Sequence, residues 1–380
     1  MRRPYLLISL GLTGLALSVV LCLVLSWLWH TAIAGSTPVP SHSPHPLIRL
    51  AILGDSDSHA YHDTLSFPLG SPSRGSQHRP QTWQWSEILA QLRGDQVDLG
   101  PWGIWGAPQS VALLQDAMGL GGRSPRKMDH QYNFAQSGAG CDALIRYRMA
   151  RRLVQLMDQA PQAWVNGIVL IRIGINDLGT REALQALSLD PMDRQVQASI
   201  TACIAQHAQT IQLIHAHHPH TRIVLVGLFN NMDWPPYVAL WQTAQARSRI
   251  QQGLAVFNTA LQQLAAQDTR LAYLDDQAWF ADHWGSRDAA GHPAYHPLRI
   301  GNMPPITHSQ GNELTHATLA DGHNGTAWNL LWTQALIHLL NQRFDTHIQP
   351  ITDEDAAGFM ARQYAQPPDL AHMPHPLAQP

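Results

Sequence analysis

The stretch Leu50-Ala51-Ile52-Leu53-Gly54-Asp55-Ser56-Asp57-Ser58-His59 decides the fold class. An apolar run without alternation ends abruptly in small and polar residues. Apolar side chains at consecutive positions mark a strand buried on both faces, as in parallel sheets covered by helices. In such sheets the ligand crevice lies outside the carboxyl ends of the strands, which puts the Ser56 hydroxyl where chemistry usually sits. On these residues alone an ordinary turn or helix N-cap explains Gly-Asp-Ser equally well, since Asp and Ser favour both.

Further along, Thr64 to Thr82 is rich in Gly, Ser and Pro and reads as a surface loop; Trp83 to Leu92 has the spacing of a short amphipathic helix. Asp98 to Pro108 carries too many glycines and prolines for a regular helix or a central strand. Its Trp102 and Trp105 either pack a loop down or wall a substrate pocket. Gln131 to Ala135 is a short strand candidate that exits through Gln136-Ser137-Gly138-Ala139-Gly140 into a helical pattern from Cys141 to Met157. The clearest strand, Gly167 to Ile173, exits through Gly174-Ile175-Asn176-Asp177. Then come a helix from about Arg194 to His217, a strand Ile223 to Leu228, a helix from about Val238 to Ala266, and a strand Leu271 to Leu274. A final helix, Thr326 to Asn341, follows Asp321-Gly322-His323-Asn324-Gly325. Strands alternating with helices predict a parallel α/β sheet.

Ester hydrolysis by a serine needs a hydroxyl, a base to take its proton, and donors aimed at the oxyanion. The polar exits supply one of each: Ser56 as hydroxyl, Gly138 as a close backbone N–H, Asn176 as a side-chain amide, and His323 as base. This constellation resembles the SGNH hydrolases, or GDSL-type esterases. Their four blocks are matched in order by Gly54-Asp55-Ser56, Asn133-Phe134-Ala135-Gln136-Ser137-Gly138, Gly174-Ile175-Asn176-Asp177 and Asp321-Gly322-His323. Each match is short, and their order and placement carry the signal. The resemblance spans roughly Leu47 to Asn341. It implies a three-layer α/β/α sandwich of the flavodoxin-like type with about five parallel strands. It further implies a Ser56 nucleophile, oxyanion donors from Ser56, Gly138 and Asn176, a His323 base, and neither cofactor nor metal. The family usually separates its last Asp and His by two residues; here only Gly322 intervenes. Asp321 therefore either still orients His323 or serves as a turn residue while a carbonyl orients the ring. His59, three residues from Ser56, is a rival base.

Composition narrows the function classes. Hydrophobic residues make up 45% of the 380-residue chain, so a large core is expected, and a net charge of −3 with Lys127 as the sole lysine argues against nucleic-acid binding. Met1-Arg2-Arg3 precedes an uncharged apolar stretch, Tyr5 to Trp29, which as a helix would measure about 37 Å and span a bilayer. With no further Lys or Arg until Arg49, the N-terminus is expected in the cytoplasm and the rest outside it. Residues 1–34 are read as an uncleaved membrane anchor, the alternative being a signal cleaved near Ala34 that would leave a secreted protein. Residues 35–46 form a Pro/Ser-rich linker, 47–343 the hydrolase-like domain, and 344–380 a Pro-rich disordered tail. Cys141 and Cys203 are an even pair beyond the membrane segment, either bonded or two buried thiols.

Two other classes compete. Asp55-Ser56-Asp57 after an apolar strand also looks like the nucleophile motif of the HAD phosphatases, with Leu274-Asp275-Asp276 imitating their magnesium-binding acidic pair. A membrane-tethered glycan-binding module without activity is the third. His215, His217, His218 and His220 are dense enough for a metal site, although histidines ending a helix commonly just cap its negative pole. The expected substrate is an O-acyl ester of an envelope glycan or lipid.

Overall fold

The strand that begins at Ile48 is the second of five in a parallel sheet. The computed structural model describes residues 47–288 and 290–368. The apolar segment Tyr5 to Trp29, the linker and residues 369–380 lie outside them. Among the described residues no helix is long and apolar enough to cross a membrane. The elements in chain order are β1 (Ile48–Gly54), α1 (Trp85–Arg93), β2 (Val97–Asp98), β3 (Trp102–Trp105), α2 (Gln109–Ala117), β4 (Lys127–His130), α3 (Met149–Met157), β5 (Ile168–Arg172), α4 (Ile175–Leu178), α5 (Arg181–Leu189), α6 (Arg194–His217), β6 (Arg222–Val226), α7 (Ala244–Ala266), β7 (Leu271–Leu274), α8 (Asp276–Trp284), β8 (Thr307–Gln310), β9 (His316–Thr318), α9 (Thr326–Phe344) and α10 (Asp353–Tyr364).

The sheet order is β2-β1-β5-β6-β7, with Leu50 opposite Ile168 and Gly54 opposite Arg172. Alternate residues of the apolar strands face opposite layers, as the unbroken hydrophobic runs require. Leu50, Ile52, Leu170 and Val224 pack under α1, α8, α9 and α10. Ala51, Leu53, Val169, Ile171 and Leu225 pack under α3, α5, α6 and α7. Each fully buried Leu or Ile contributes about 1.5–3 kcal/mol of transfer free energy, which is why the strand residues specify the sandwich so strongly. Because β2 and β5 flank β1 on opposite sides, the chain reverses its direction of travel across the sheet there. The crevice between the ends of β1 and β5 is the topological switch point of this architecture.

The Gln131–Ala135 segment runs beside the end of β1: Ile52 N–H donates to Tyr132 O at 3.0 Å and Phe134 N–H to Ile52 O at 2.8 Å. Lys127 lies beneath it, fully buried, its Nζ held by Asp129 Oδ2 at 2.8 Å and by Ala135 O. The Trp102 stretch forms β3, antiparallel to β4 in a ribbon outside the main sheet.

Four expectations need correction. Gln131–Ala135 is not a strand of the sheet: only Asn133 bridges Ile52, and β2 holds the edge beside β1 instead. The helix expected over Cys141–Met157 is broken: a single 3-10 turn at Cys141–Ala143 is followed by Arg148 at φ 66° before α3 starts. The helix expected from Val238 begins only at Ala244, capped by the Thr243 hydroxyl. The disordered tail expected from residue 344 is contradicted by the described residues 344–368. Phe344 ends α9, and α10 follows with Thr352 and Asp355 as a capping box. Phe359 and Met360 are buried against the α1 and α9 layer, while Arg93 Nε donates to Gln349 O at 2.7 Å. An acidic first turn reads as a solvated tail, but it is also what a helix N-terminus prefers, and the two apolar residues behind it suffice to dock the helix. The domain therefore extends past 343.

Cys141 and Cys203 are disulfide-bonded, their Cα atoms 5.1 Å apart across 62 residues; closing a loop of that size is worth about 4 kcal/mol in the chain-entropy model. Beside the bond, His207 donates from Nδ1 to Cys203 O at 2.9 Å, and its buried Nε2 has no partner. Burial pushes its pKa down to about 4, and likewise that of His308. A lowered histidine pKa means that the unfolded chain binds the proton first. This stability is therefore complete above about pH 6.5 and is lost as pH falls toward 4, at about 1.4 kcal/mol per pH unit for each histidine. His207→Gln is expected to flatten the fall in melting temperature between pH 6.5 and 4; an unchanged slope would place the acid sensitivity elsewhere.

Candidate active site

The Ser56 turn is built from the strand end upward. A side chain at Gly54 would sit 2.8 Å from Arg172 O, so only glycine lets β1 and β5 close at this point. Asp55 Oδ1 then accepts from Asp57 N–H at 2.9 Å, and Ser58 and His59 N–H donate to Asp55 O. The turn's carbonyls are pinned from below: Gln84 Nε2 donates to Ser56 O (3.3 Å), while Trp85 Nε1 and Arg172 Nη1 donate to Asp57 O (3.0 and 3.1 Å). Asp55 itself is buried, and burial followed by the nearby Asp57 charge holds its pKa well above the usual carboxylate range. Its hydrogen bonds are all within the turn, which makes it a turn-former.

Ser56, Asn176, Asp321 and His323 line one open cavity of about 520 Å³, together with Arg172, Phe229, Trp234, Tyr237 and Trp328. Gly138 is not among its lining residues; it borders a neighbouring cavity of about 400 Å³ with Gln109, Ser137 and Tyr147. The two are joined by Asn176, whose Nδ2 donates to Ala139 O at 2.9 Å, leaving its second N–H for a ligand. Asp177 secures the same junction, accepting from Cys141 N–H at 2.8 Å. Gly138 has φ 79°, and no atom stands within 4 Å of where a Cβ would be, so its backbone is open to an approaching group. Glycine suits this left-handed conformation.

The short fourth block closes tightly. Gly322 adopts φ 88°, and a side chain there would run into Trp234, whose Nε1 donates to Gly322 O at 2.8 Å. Asp321 Oδ1 consequently stands 3.1 Å from His323 Nδ1. Burial alone would raise the Asp321 pKa, but the His323 hydrogen bond and the charges of His323 and Arg74 outweigh it and hold the pKa below the usual carboxylate range. His323 also lines the Ser56 cavity, and a carboxylate at one imidazole nitrogen is what orients a histidine acting as general base.

Sequence reasoning missed Arg74. Its side chain is 3% exposed, and its Nη1 and backbone N–H both donate to Asp321 Oδ2 at 2.8 Å. Nη1 also lies 2.5 Å from His323 Nδ1, and Nη2 donates to Ser137 Oγ at 3.0 Å. One guanidinium thus ties the fourth block to the second. It sits in what reads as a Gly/Ser/Pro surface loop, and the only local sign is an arginine at φ 56° followed by Gly75 at φ 94°. His59, the rival base, is turned away: Nε2 donates to Asp63 Oδ2 at 2.8 Å, and Nδ1 accepts from Ser137 N–H at 3.1 Å. Burial, and secondarily the Lys127 charge, push its pKa down.

Trp102 and Trp105 do not line the Ser56 cavity; Trp102 borders a separate one with Trp83 and His130. The phosphatase-like acidic pair is spoken for, Asp275 capping α8 and Asp276 pairing with Arg172 at 3.0 Å. The dense histidines do not gather round one point: His215 meets Thr221 O at 3.0 Å, while His217 and His218 both face Asp158, at 3.4 and 3.0 Å.

Among solved structures, the chain is similar to an extracellular lipase from Streptomyces rimosus (18% identity, TM-score 0.34, covering 77% of this chain and 99% of that one). It is also similar to a phospholipase A1 from Streptomyces albidoflavus NA297 (16%, TM-score 0.37, 77% and 100%) and to the lipase Lip_vut3 from a goat rumen metagenome (14%, TM-score 0.32, 65% and 90%). No curated protein matches. The model of the GDSL-like lipase/acylhydrolase family matches residues 52–302, about two thirds of the chain. With that match over a parallel five-stranded sandwich that brings Ser56, Asn176, Asp321 and His323 to one cleft, the chain belongs to the GDSL-like lipase/acylhydrolase family and is a serine ester hydrolase.

Proposed function

We propose that this hydrolase cleaves carboxylic O-acyl esters of envelope lipids or glycans on the outer side of the cytoplasmic membrane, held there by the Tyr5 to Trp29 segment. The reading rests on the cleft shared by Ser56, Asn176 and the Asp321–His323 pair. Ser56 Oγ bonds to the ester carbonyl carbon while its proton passes to His323 Nε2, the nitrogen turned away from Asp321. The alcohol leaves with that proton. Water then attacks the acyl-serine, returning a proton through His323 and releasing the acid. The oxyanion is met by the Asn176 amide and by the N–H groups of Ser56 and Gly138. Phe229, Trp234 and Trp328 supply apolar walls for an acyl chain, while Arg172, Arg181 and Glu182 in the same lining suit a polar alcohol part.

The test is hydrolysis of a panel of short- and long-chain acyl esters, including acylated sugars, by the full chain in the presence of a chelator. Full activity is expected; a magnesium requirement or phosphate release from phosphomonoesters would overturn the reading. Within that assay, Asn176→Ala is expected to lower kcat by on the order of 10²–10³ with a smaller change in KM, because an oxyanion donor acts on the transition state. A loss confined to KM would make Asn176 a substrate-binding residue only.

A further inference from the structure

Helix α2 is inside out. A surface helix normally buries its apolar stripe and presents polar residues to water. In Gln109–Ala117 the buried position is Ala112, and the inward polar residue is Asp116. Asp116 Oδ1 accepts from Gly122 N–H at 2.8 Å, and Oδ2 faces Arg148 Nη1 at 3.3 Å. The outward residues are Val111, Leu113 (47% exposed) and Leu114 (59%), continued by Met118 (53%) and Leu120 (61%). Arg148, which meets Asp116, is exposed, as are its chain neighbours Arg146 and Tyr147 and, at the start of α3, Arg151. Asp142, partly exposed, is 3.8 Å from Arg146.

We propose that this face is a docking surface for an anionic lipid bilayer, from which ester lipids reach the site. The inference rests on the esterase reading above and narrows its substrate to a membrane-resident acyl ester. Two observations choose the occupant. An outward apolar row on a helix that the exposed Arg148 touches through Asp116 matches an interface with acyl chains below and phosphates at its rim. A second copy docked face to face would bring the arginine clusters together, which costs free energy. The position of the patch fits delivery: Gln109, the first residue of α2, and Tyr147 wall the same 400 Å³ cavity as Gly138. A lipid leaving the bilayer over this helix therefore arrives at the glycine loop that Asn176 ties to the Ser56 cleft.

The experiment uses the full chain in a Cys22→Ser background, Cys141 and Cys203 being bonded to each other. An environment-sensitive fluorophore is attached at Leu114→Cys or, as control, at Gln263→Cys on exposed α7. The protein is mixed with phosphatidylcholine vesicles with and without phosphatidylglycerol. A blue shift is expected at Leu114 with the anionic vesicles and not at Gln263. In parallel, the Leu113→Glu, Leu114→Glu double variant is expected to hydrolyse a vesicle-borne ester at least ~10-fold more slowly. Its kcat/KM on a soluble short-chain ester should stay within about twofold, as for surface changes away from a site. A Leu114 label that stays in water, or equal losses on both substrates, overturns the proposal. So does a blue shift without vesicles that rises with protein concentration, which would assign the face to a second copy. If the wild type cleaves neither ester, the hydrolase reading fails while the fluorophore still judges the surface.

Discussion

Ser56→Ala is expected to abolish ester hydrolysis, with a loss in kcat on the order of 10⁵–10⁶, the scale seen when a serine nucleophile is removed from a working triad. Melting temperature should barely move. The Ser56 turn is held through its backbone, by Gln84 on Ser56 O and by Trp85 and Arg172 on Asp57 O, and none of these bonds uses the hydroxyl. Removing one oxygen there should change stability by no more than about 0.5 kcal/mol. The measurement is turnover of a p-nitrophenyl ester beside a thermal melt. Undiminished turnover would exclude Ser56 as nucleophile; a melting temperature lowered in step with activity would make the effect structural.

The second large effect concerns the base and what holds it. His323→Ala should cost about as much as Ser56→Ala, and the double variant no more than either, because the two act as one unit. Asp321→Asn should cost at least ~10-fold, and up to ~10⁴ if the ring settles in the wrong tautomer. Arg74 adds a step to this series. Its guanidinium occupies Asp321 Oδ2, leaving Oδ1 to face His323 Nδ1, and its other arm reaches Ser137, the neighbour of Gly138. Arg74→Gln should therefore lower kcat by ~10–100-fold, and Arg74→Lys should recover part of it, since a point charge can serve Asp321 but cannot bridge both blocks. A buried ion pair that loses one partner typically costs 3–5 kcal/mol of stability, so the melt must be read beside the rate. If Arg74→Lys restores the melting temperature and none of the rate, the two-armed geometry is what catalysis needs. If Asp321→Asn keeps wild-type kcat while His323→Ala is dead, a group other than Asp321 orients the ring.

The sheet was legible because its signal is local and repeated: the apolar runs of β1, β5, β6 and β7 can bury their side chains only between two helical layers. Ser56 and Asn176 follow β1 and β5, and strand ends in such a sheet face one crevice; His323 stands on the loop before α9, so only the tertiary structure brings it to line the same cavity. The close approach of Asp321 to His323 through a one-residue spacer depended on Gly322 reaching φ 88°. Sequence permits that angle without requiring it. What the sequence could not contain was pairing across long separations. Arg74 meets Asp321 from 247 residues away and Ser137 from 63, and a charged residue in a Gly/Ser/Pro loop carries no sign of its partner. The same holds for α10, whose acidic first turn reads as solvated until Phe359 and Met360 find the α9 layer. Periodicity tells which side of an element is apolar; only the tertiary arrangement tells what that side meets.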